Sequence, residues 1–138
     1  MRSLVPLLIS SAMLASCGVQ SQPDVRTPRA QTELDRFLAG RTAGKPVSCI
    51  QDGRTDQMTV IDENTFIFRD GSRVYRNDPP GGCIGAGRPG STLVFNRFGG
   101  GGLCRGEIIH VTDLTTGSFG GSCALGDFVP FDKPKPAR

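Results

Sequence analysis

The stretch TFIFRDGSRVYRN, residues 65–77, gives the clearest structural signal in the chain. In its first half Phe66 and Phe68 alternate with Ile67, as side chains do on the two faces of a strand. Asp70 and Gly71 then form a dipeptide that is typical of two-residue hairpin turns. We therefore predict an antiparallel hairpin across these residues.

Short runs of the same kind lie on both sides of this hairpin. They are PVSCIQ, QMTVID, STLVFNRF, GEIIHVTD and SCALGDFVPF. About seven short strands with frequent turns predict a mainly β domain, a small antiparallel barrel or sandwich. Upstream, TELDRFLAG predicts a short helix over residues 33–39, with Thr32 as its cap and Gly40 as its stop.

The first 16 residues have the layout of a secretory signal peptide. Arg2 precedes an uncharged apolar run over residues 4–14, and small residues follow it. A membrane-spanning helix needs roughly 20 apolar residues, so this run is too short to be one. The tetrapeptide ending at Cys17, LASC, resembles the lipobox of bacterial lipoproteins. In that family the cysteine is lipidated and the signal is cut just before it, so we predict that Cys17 is a lipid anchor. The alternative is an ordinary cleaved signal.

The lipobox resemblance also implies a location and a domain organisation. Gly18, and not Asp, follows the anchor, which by analogy with enteric bacteria implies an outer-membrane lipoprotein facing the periplasm. We predict a flexible tether over residues 17–30, a β-rich domain with an N-terminal helix over 31–132, and a disordered tail over 133–138. The expected partners are the membrane, through the anchor, and another envelope protein.

The charge of the chain points to no nucleic-acid partner. Residues 17–138 carry 15 basic and 13 acidic residues, a net charge of +2. The arginines are scattered among acids, whereas a nucleic-acid surface needs a concentrated basic face.

The four remaining cysteines predict two disulfides, which supplement the small core of an exported domain. Three pairings are possible. We favour Cys83–Cys104, which closes the glycine-rich loop, and Cys49–Cys123, which joins the first strand to the last. The rival is a four-thiolate zinc site, but the chain has no Cys-x-x-Cys pair. We therefore expect no metal and no small-molecule cofactor.

Two glycine-rich motifs invite a phosphate-binding interpretation. GAGRPG, residues 85–90, matches the dinucleotide fingerprint, but a strand is predicted after it where the fingerprint requires a helix. GGGG, residues 99–102, could approach a phosphate closely. We favour a flexible connection between strands for this second motif.

Catalysis by histidine would have to use His110, the single histidine of the chain. Glu107 and Asp113 lie three residues before and after it, and an odd offset on a strand places side chains on opposite faces. We therefore expect His110 to face solvent and predict no catalytic residues. The other acids that could pair for hydrolysis mostly lie at turns, where Asp is favoured: Asp52, Asp56, Asp62, Glu63, Asp70 and Asp78.

The segments GKPVSCI, GGCIG, LCRGEIIHVTD and GSCALGDFVPF resemble a family of small exported bacterial proteins known only as a domain of unknown function. The resemblance covers residues 41–131 and depends on the four cysteines and the run over residues 121–130. It implies a β-rich, disulfide-linked domain and passes on no catalytic residue.

Three functions follow as hypotheses. The first is a non-enzymatic envelope lipoprotein that binds or supports another envelope component. The second is an inhibitor of a hydrolase, such as a lysozyme or a protease, which inserts the loop closed by Cys83–Cys104 into a cleft. The third is a small hydrolase that uses His110 with Glu107 or Asp113.

Overall fold

The computed structural model describes residues 26–51, 57–96 and 101–135, which form a mainly β domain with one helix. The elements are α1 Pro28–Leu38, β1 Thr42–Ala43, β2 Cys49–Ile50, β3 Met58–Asp62, β4 Thr65–Asp70, β5 Arg73–Asn77, β6 Ser91–Phe95, β7 Leu103–Cys104, β8 Ile108–Asp113, β9 Phe119–Ala124 and β10 Phe128–Asp132.

The strands form three antiparallel sheets. A five-stranded sheet has the order β1-β10-β5-β4-β3, a three-stranded sheet has the order β6-β8-β9, and β2 pairs with β7. Within the described residues no sheet closes on itself, so the architecture is a sandwich and not the barrel that the sequence equally allowed. Between the two larger sheets lies the main core, where Phe68 packs edge to face on Phe128 with the ring centroids 5.5 Å apart.

The predicted hairpin is confirmed as β4 and β5. Asp70 pairs with Arg73, so Gly71 and Ser72 make the turn. Gly71 has φ of 56°, a conformation that glycine adopts without steric cost. Strand β4 is buried on both faces, because Phe66 and Phe68 enter the core between the sheets while Ile67 packs under the helix.

Helix α1 begins five residues earlier than the sequence analysis predicted. Thr27 is its N-cap, accepting a hydrogen bond from the Ala30 N–H, and Pro28 opens the first turn. Thr32, the predicted cap, lies inside the helix and donates its hydroxyl proton to the Pro28 carbonyl at 2.9 Å. Residues 28–30 therefore belong to the helix and not to a tether. Ala30 and Leu34 bury its apolar side against the five-stranded sheet.

All four cysteines form disulfides, but the predicted pairing is wrong. The bonds are Cys49–Cys104 and Cys83–Cys123. Cys49 and Cys104 are direct partners across β2 and β7. The prediction assumed that the strand holding Cys49 lies beside the last strand, as in a closed sheet. In the structure Cys123 lies in β9 and not in the last strand, β10. The segment before Cys49 does reach β10, through Val47 and Phe128, but Cys49 itself pairs with Cys104 of β7.

The described residues contain no helix with the length and apolar character needed to cross a bilayer. Residues 1–25 lie outside them, so the signal peptide and the lipid anchor at Cys17 stay predictions. Of the predicted tail, residues 133–135 are exposed and have no regular structure.

Candidate functional site

The two sheets of the sandwich differ in what covers their outer faces. Helix α1 covers the outer face of the five-stranded sheet, where Leu34 packs with Ile67 and Val74. Among the described elements, none lies over the outer face of β6-β8-β9. This uncovered face is the candidate functional site.

The register of the strands defines the residues of the uncovered face. Ile109 and Val111 are buried in the core, so the alternate residues of β8 point outward. Val94, His110 and Ser122 form one cross-strand row. The face exposes apolar side chains at Val94 (42%) and Ile108 (47%), which is unusual on a sheet face that meets only water.

A hollow of about 700 Å³ lies at one end of the uncovered face. Its lining residues are Asn96, Arg105, Gly106, Glu107, Ile108 and His110. The hollow therefore combines an apolar side chain, an imidazole and one charge of each sign. Because Arg105 also reaches Asp127 at 3.4 Å, its charge is partly balanced.

His110 lies in the central strand of the uncovered face, in the same row as Ser122. Its ring lies 5.6 Å from the ring of Phe119, and its Nδ1 atom is shielded from solvent with no hydrogen-bond partner in the described part of the chain. Most buried polar atoms in folded proteins are paired. Because the protein itself encloses this nitrogen, a molecule bound to the face would not reach it.

The carboxylates that the sequence placed near His110 have other partners. Glu107 accepts a hydrogen bond from the Cys104 N–H at 3.0 Å. Asp113 accepts from the N–H groups of Thr115 and Thr116, both at 2.8 Å. Those bonds, with one from the Thr116 hydroxyl, hold the pKa of the Asp113 carboxyl below its usual value. Both side chains stabilise turns, and neither orients the imidazole.

The motif GAGRPG is a loop that leads directly into strand β6 at Ser91, as the sequence analysis expected. The Gly85 N–H donates to the Glu63 carboxylate at 2.8 Å, and the Ser91 hydroxyl donates to the Gly85 carbonyl at 3.0 Å. The Gly85 N–H, which a phosphate would need, is thus already hydrogen-bonded to a carboxylate.

Of the GGGG motif, residues 99 and 100 lie outside the described ranges. Gly102 approaches the backbone of β2 so closely that a Cβ there would lie 2.1 Å from the Ile50 carbonyl oxygen. This close packing against β2 explains why position 102 is a glycine.

The carboxylates at the turns also form ion pairs and hydrogen bonds within the fold. Asp62 contacts Arg26 at 2.5 Å, and the Thr65 hydroxyl donates to Asp78 at 2.8 Å. Arg26 also donates to the Thr65 hydroxyl, so one network joins both acids. This network was not predicted from the sequence, because Arg26 lies in a segment assigned to the tether. Asp52 and Asp56 lie outside the described residues.

Within residues 26–51, 57–96 and 101–135, the structure contains no cluster of three or more His, Cys, Asp or Glu side chains that could hold a metal ion.

These observations define a mainly β, disulfide-linked sandwich with a helix on one side and an uncovered apolar face on the other. Comparisons with protein-family models, with curated proteins and with solved structures found no match to the chain. The resemblance to a family of unknown function stays a prediction.

Proposed function

We propose that this protein is a non-enzymatic, lipid-anchored component of the cell envelope, and that its uncovered face binds another envelope protein in the periplasm. One observation carries the proposal: of the two outer faces of the sandwich, one is covered by α1 and the other exposes Val94 and Ile108 around His110. The lipid anchor at Cys17 and the outer-membrane location come from the sequence alone.

The chemistry of the face favours a protein partner. Exposed apolar side chains that surround a polar group are typical of interfaces, where a few apolar anchors supply most of the binding energy. Val94 and Ile108 can be such anchors.

The two alternative functions have less support. The inhibitor hypothesis depended on a loop closed by Cys83–Cys104, and the structure pairs these cysteines differently. The hydrolase hypothesis needs a carboxylate that orients His110. Glu107 lines the same hollow as His110, but its carboxylate accepts the Cys104 N–H, and Asp113 accepts N–H groups of its own turn.

The test compares two glutamate variants of the full chain in capture from detergent-solubilised envelope. Ile108→Glu places a charge on the uncovered face. Val47→Glu is the matched control, because Val47 is 39% exposed but lies beside β10. We expect wild type and Val47→Glu to retain the same envelope protein and Ile108→Glu to lose it, with all three equally folded by circular dichroism.

A protein retained equally by both variants would contradict the assignment of the face. His110→Ala adds a second test. In assays against peptidoglycan and casein, any hydrolysis by wild type that His110→Ala abolishes would support the hydrolase alternative.

A further inference from the structure

The described chain begins at one particular end of the sandwich. Arg26 is held there by Asp62 at 2.5 Å and by the Thr65 hydroxyl, on either side of the β3–β4 turn. Glu63, in that turn, accepts the Cys83 N–H on its carbonyl at 2.6 Å and the Gly85 N–H on its carboxylate at 2.8 Å. The entry point of the chain is therefore bound closely to the loop that contains Ile84.

Ile84 is an apolar side chain that this loop presents to solvent. It is 65% exposed, although both of its neighbours are fixed. Cys83 and Gly85 are bound by Glu63, and Cys83 is also joined by a disulfide to Cys123. The exposure of Ile84 thus belongs to a restrained loop.

Leu114 is exposed in the same way at the same end. It is 67% exposed, and its N–H donates to the Gly90 carbonyl at 2.7 Å. Ser91 connects this site to the Ile84 loop, since its hydroxyl donates to the Gly85 carbonyl. We call Ile84, Leu114 and the two turns that hold them the tip.

We propose that the tip lies against the surface of the bilayer to which Cys17 is anchored, with Ile84 and Leu114 at the boundary between headgroups and acyl chains. The inference rests on the proposed lipid anchor. Eight residues separate Cys17 from Arg26, and in any conformation they span at most about 30 Å. A domain of about 100 residues has a radius of gyration of about 13 Å, so this span is no longer than the domain is wide. An orientation with the end that holds Arg26 toward the membrane therefore needs the least extension of the linker, and the opposite end cannot reach the membrane unless the linker is almost fully extended.

The charged groups at the tip limit how deeply it enters the bilayer. Asp113 directly precedes Leu114, and its lowered pKa keeps the carboxylate ionised. Arg88 pairs with Glu63 at 3.2 Å beside the Ile84 loop. Ionised groups are costly in the hydrocarbon core, so the apolar side chains enter only the interfacial layer. The anchor already holds the domain near the membrane surface. A weak second contact at the tip therefore strengthens the binding of the whole protein to the membrane.

The absence of tryptophan from the sequence allows a direct test. Full-length lipidated protein carrying Ile84→Trp or Leu114→Trp is reconstituted on phosphatidylcholine vesicles whose acyl chains are brominated, and tryptophan emission is recorded. The matched control is Ile108→Trp, which is 47% exposed and lies at the opposite end of β8 from the tip. We expect a blue shift and a loss of emission for the two tip variants and neither change for Ile108→Trp.

Flotation of the same samples separates the two proposals. If the protein floats with the vesicles but the tip variants are quenched no more than Ile108→Trp, the tip contact is wrong and the anchor stands. If wild type fails to float, the lipid anchor is wrong and the tip contact falls with it. If Cys17→Ser floats as well as wild type, the lipid anchor is wrong, and quenching of the two tip variants then decides the tip contact by itself.

Discussion

Asn77, the last residue of β5, is a buried polar side chain on which the sandwich depends. It is fully buried. Its amide nitrogen donates to the carbonyls of Gly126 at 2.7 Å and Asp127 at 3.3 Å, and its oxygen accepts from the Gly126 N–H at 3.0 Å. These bonds hold the connection between β9 and β10, and so join the two larger sheets. We predict that Asn77→Ala destabilises the protein severely.

The magnitude follows from the groups that the substitution leaves unpaired. Each buried group of Gly126 that loses its partner costs about 1–3 kcal/mol, and two are stranded in this way. With the longer bond to Asp127, the free energy of unfolding should fall by about 3–5 kcal/mol. That is a large part of the 5–15 kcal/mol that stabilises a typical domain.

The assay is equilibrium urea unfolding of the oxidised protein in a Cys17→Ser background, which removes the fifth thiol. With a slope of about 2 kcal/mol per molar urea, the midpoint should fall by about 2 M. Asn96→Ala is the control, because Asn96 is exposed and should change the midpoint little. A fall of less than about 0.5 M for Asn77→Ala would refute the reasoning, since it would mean a loss of roughly 1 kcal/mol or less.

Asn77→Asp tests the direction of the hydrogen bonds. The substitution turns a carboxylate oxygen toward two carbonyl oxygens, which raises the pKa of the new carboxyl in the folded state. A raised pKa destabilises the folded state at neutral pH, and the loss is relieved as pH falls through that pKa. The stability of this variant, relative to wild type, should therefore improve from pH 7 to pH 4. A difference that does not change with pH would contradict the assigned orientation of the amide.

Three further predictions concern other parts of the fold. Gly126→Ala should lower the urea midpoint more than Gly71→Ala. At Gly126 the new Cβ would lie 2.4 Å from the Asp78 carbonyl oxygen, whereas at Gly71 it meets no atom within 4 Å and the substitution costs only the positive φ, about 1–2 kcal/mol. Equal shifts would show that the connection at Gly126 relaxes freely. Hydrogen bonds from Arg73 lower the pKa of Asp132. The Asp132 carboxylate therefore stabilises the folded state at pH values above its ordinary pKa near 4, and this stabilisation is lost as the pH falls through the lowered pKa. Asp132→Asn should accordingly be less stable than wild type at pH 7 and equal to it at low pH, and a constant difference would argue against the ion pair. Peptide mapping without reduction should recover the two disulfides of the structure, and crosslinked peptides of the pairing first favoured from the sequence would contradict the strand order.

The local features of the fold could be predicted from the amino-acid sequence. Alternation of side chains and the turn residue Gly71 predicted the central hairpin, because strand periodicity and turn chemistry depend on neighbouring residues alone. The same kind of evidence predicted the mainly β class and showed that GAGRPG leads into a strand.

Tertiary structure decided what depends on residues far apart in the chain. The disulfide pairing follows from which strands are neighbours, and β2 lies beside β7 and not beside the last strand. The start of α1 was predicted five residues too late, because residues 28–30 were assigned to the tether. Thr27 before Pro28 is a local start signal, and the burial of Ala30 against the five-stranded sheet holds that first turn in the helix. Asn77 gave no signal in sequence, since its partners lie about 50 residues away. The sequence also does not show which outer face of the sandwich is uncovered. A strand with apolar residues on both faces can be covered by another element on either face, and the choice depends on residues far away in the chain.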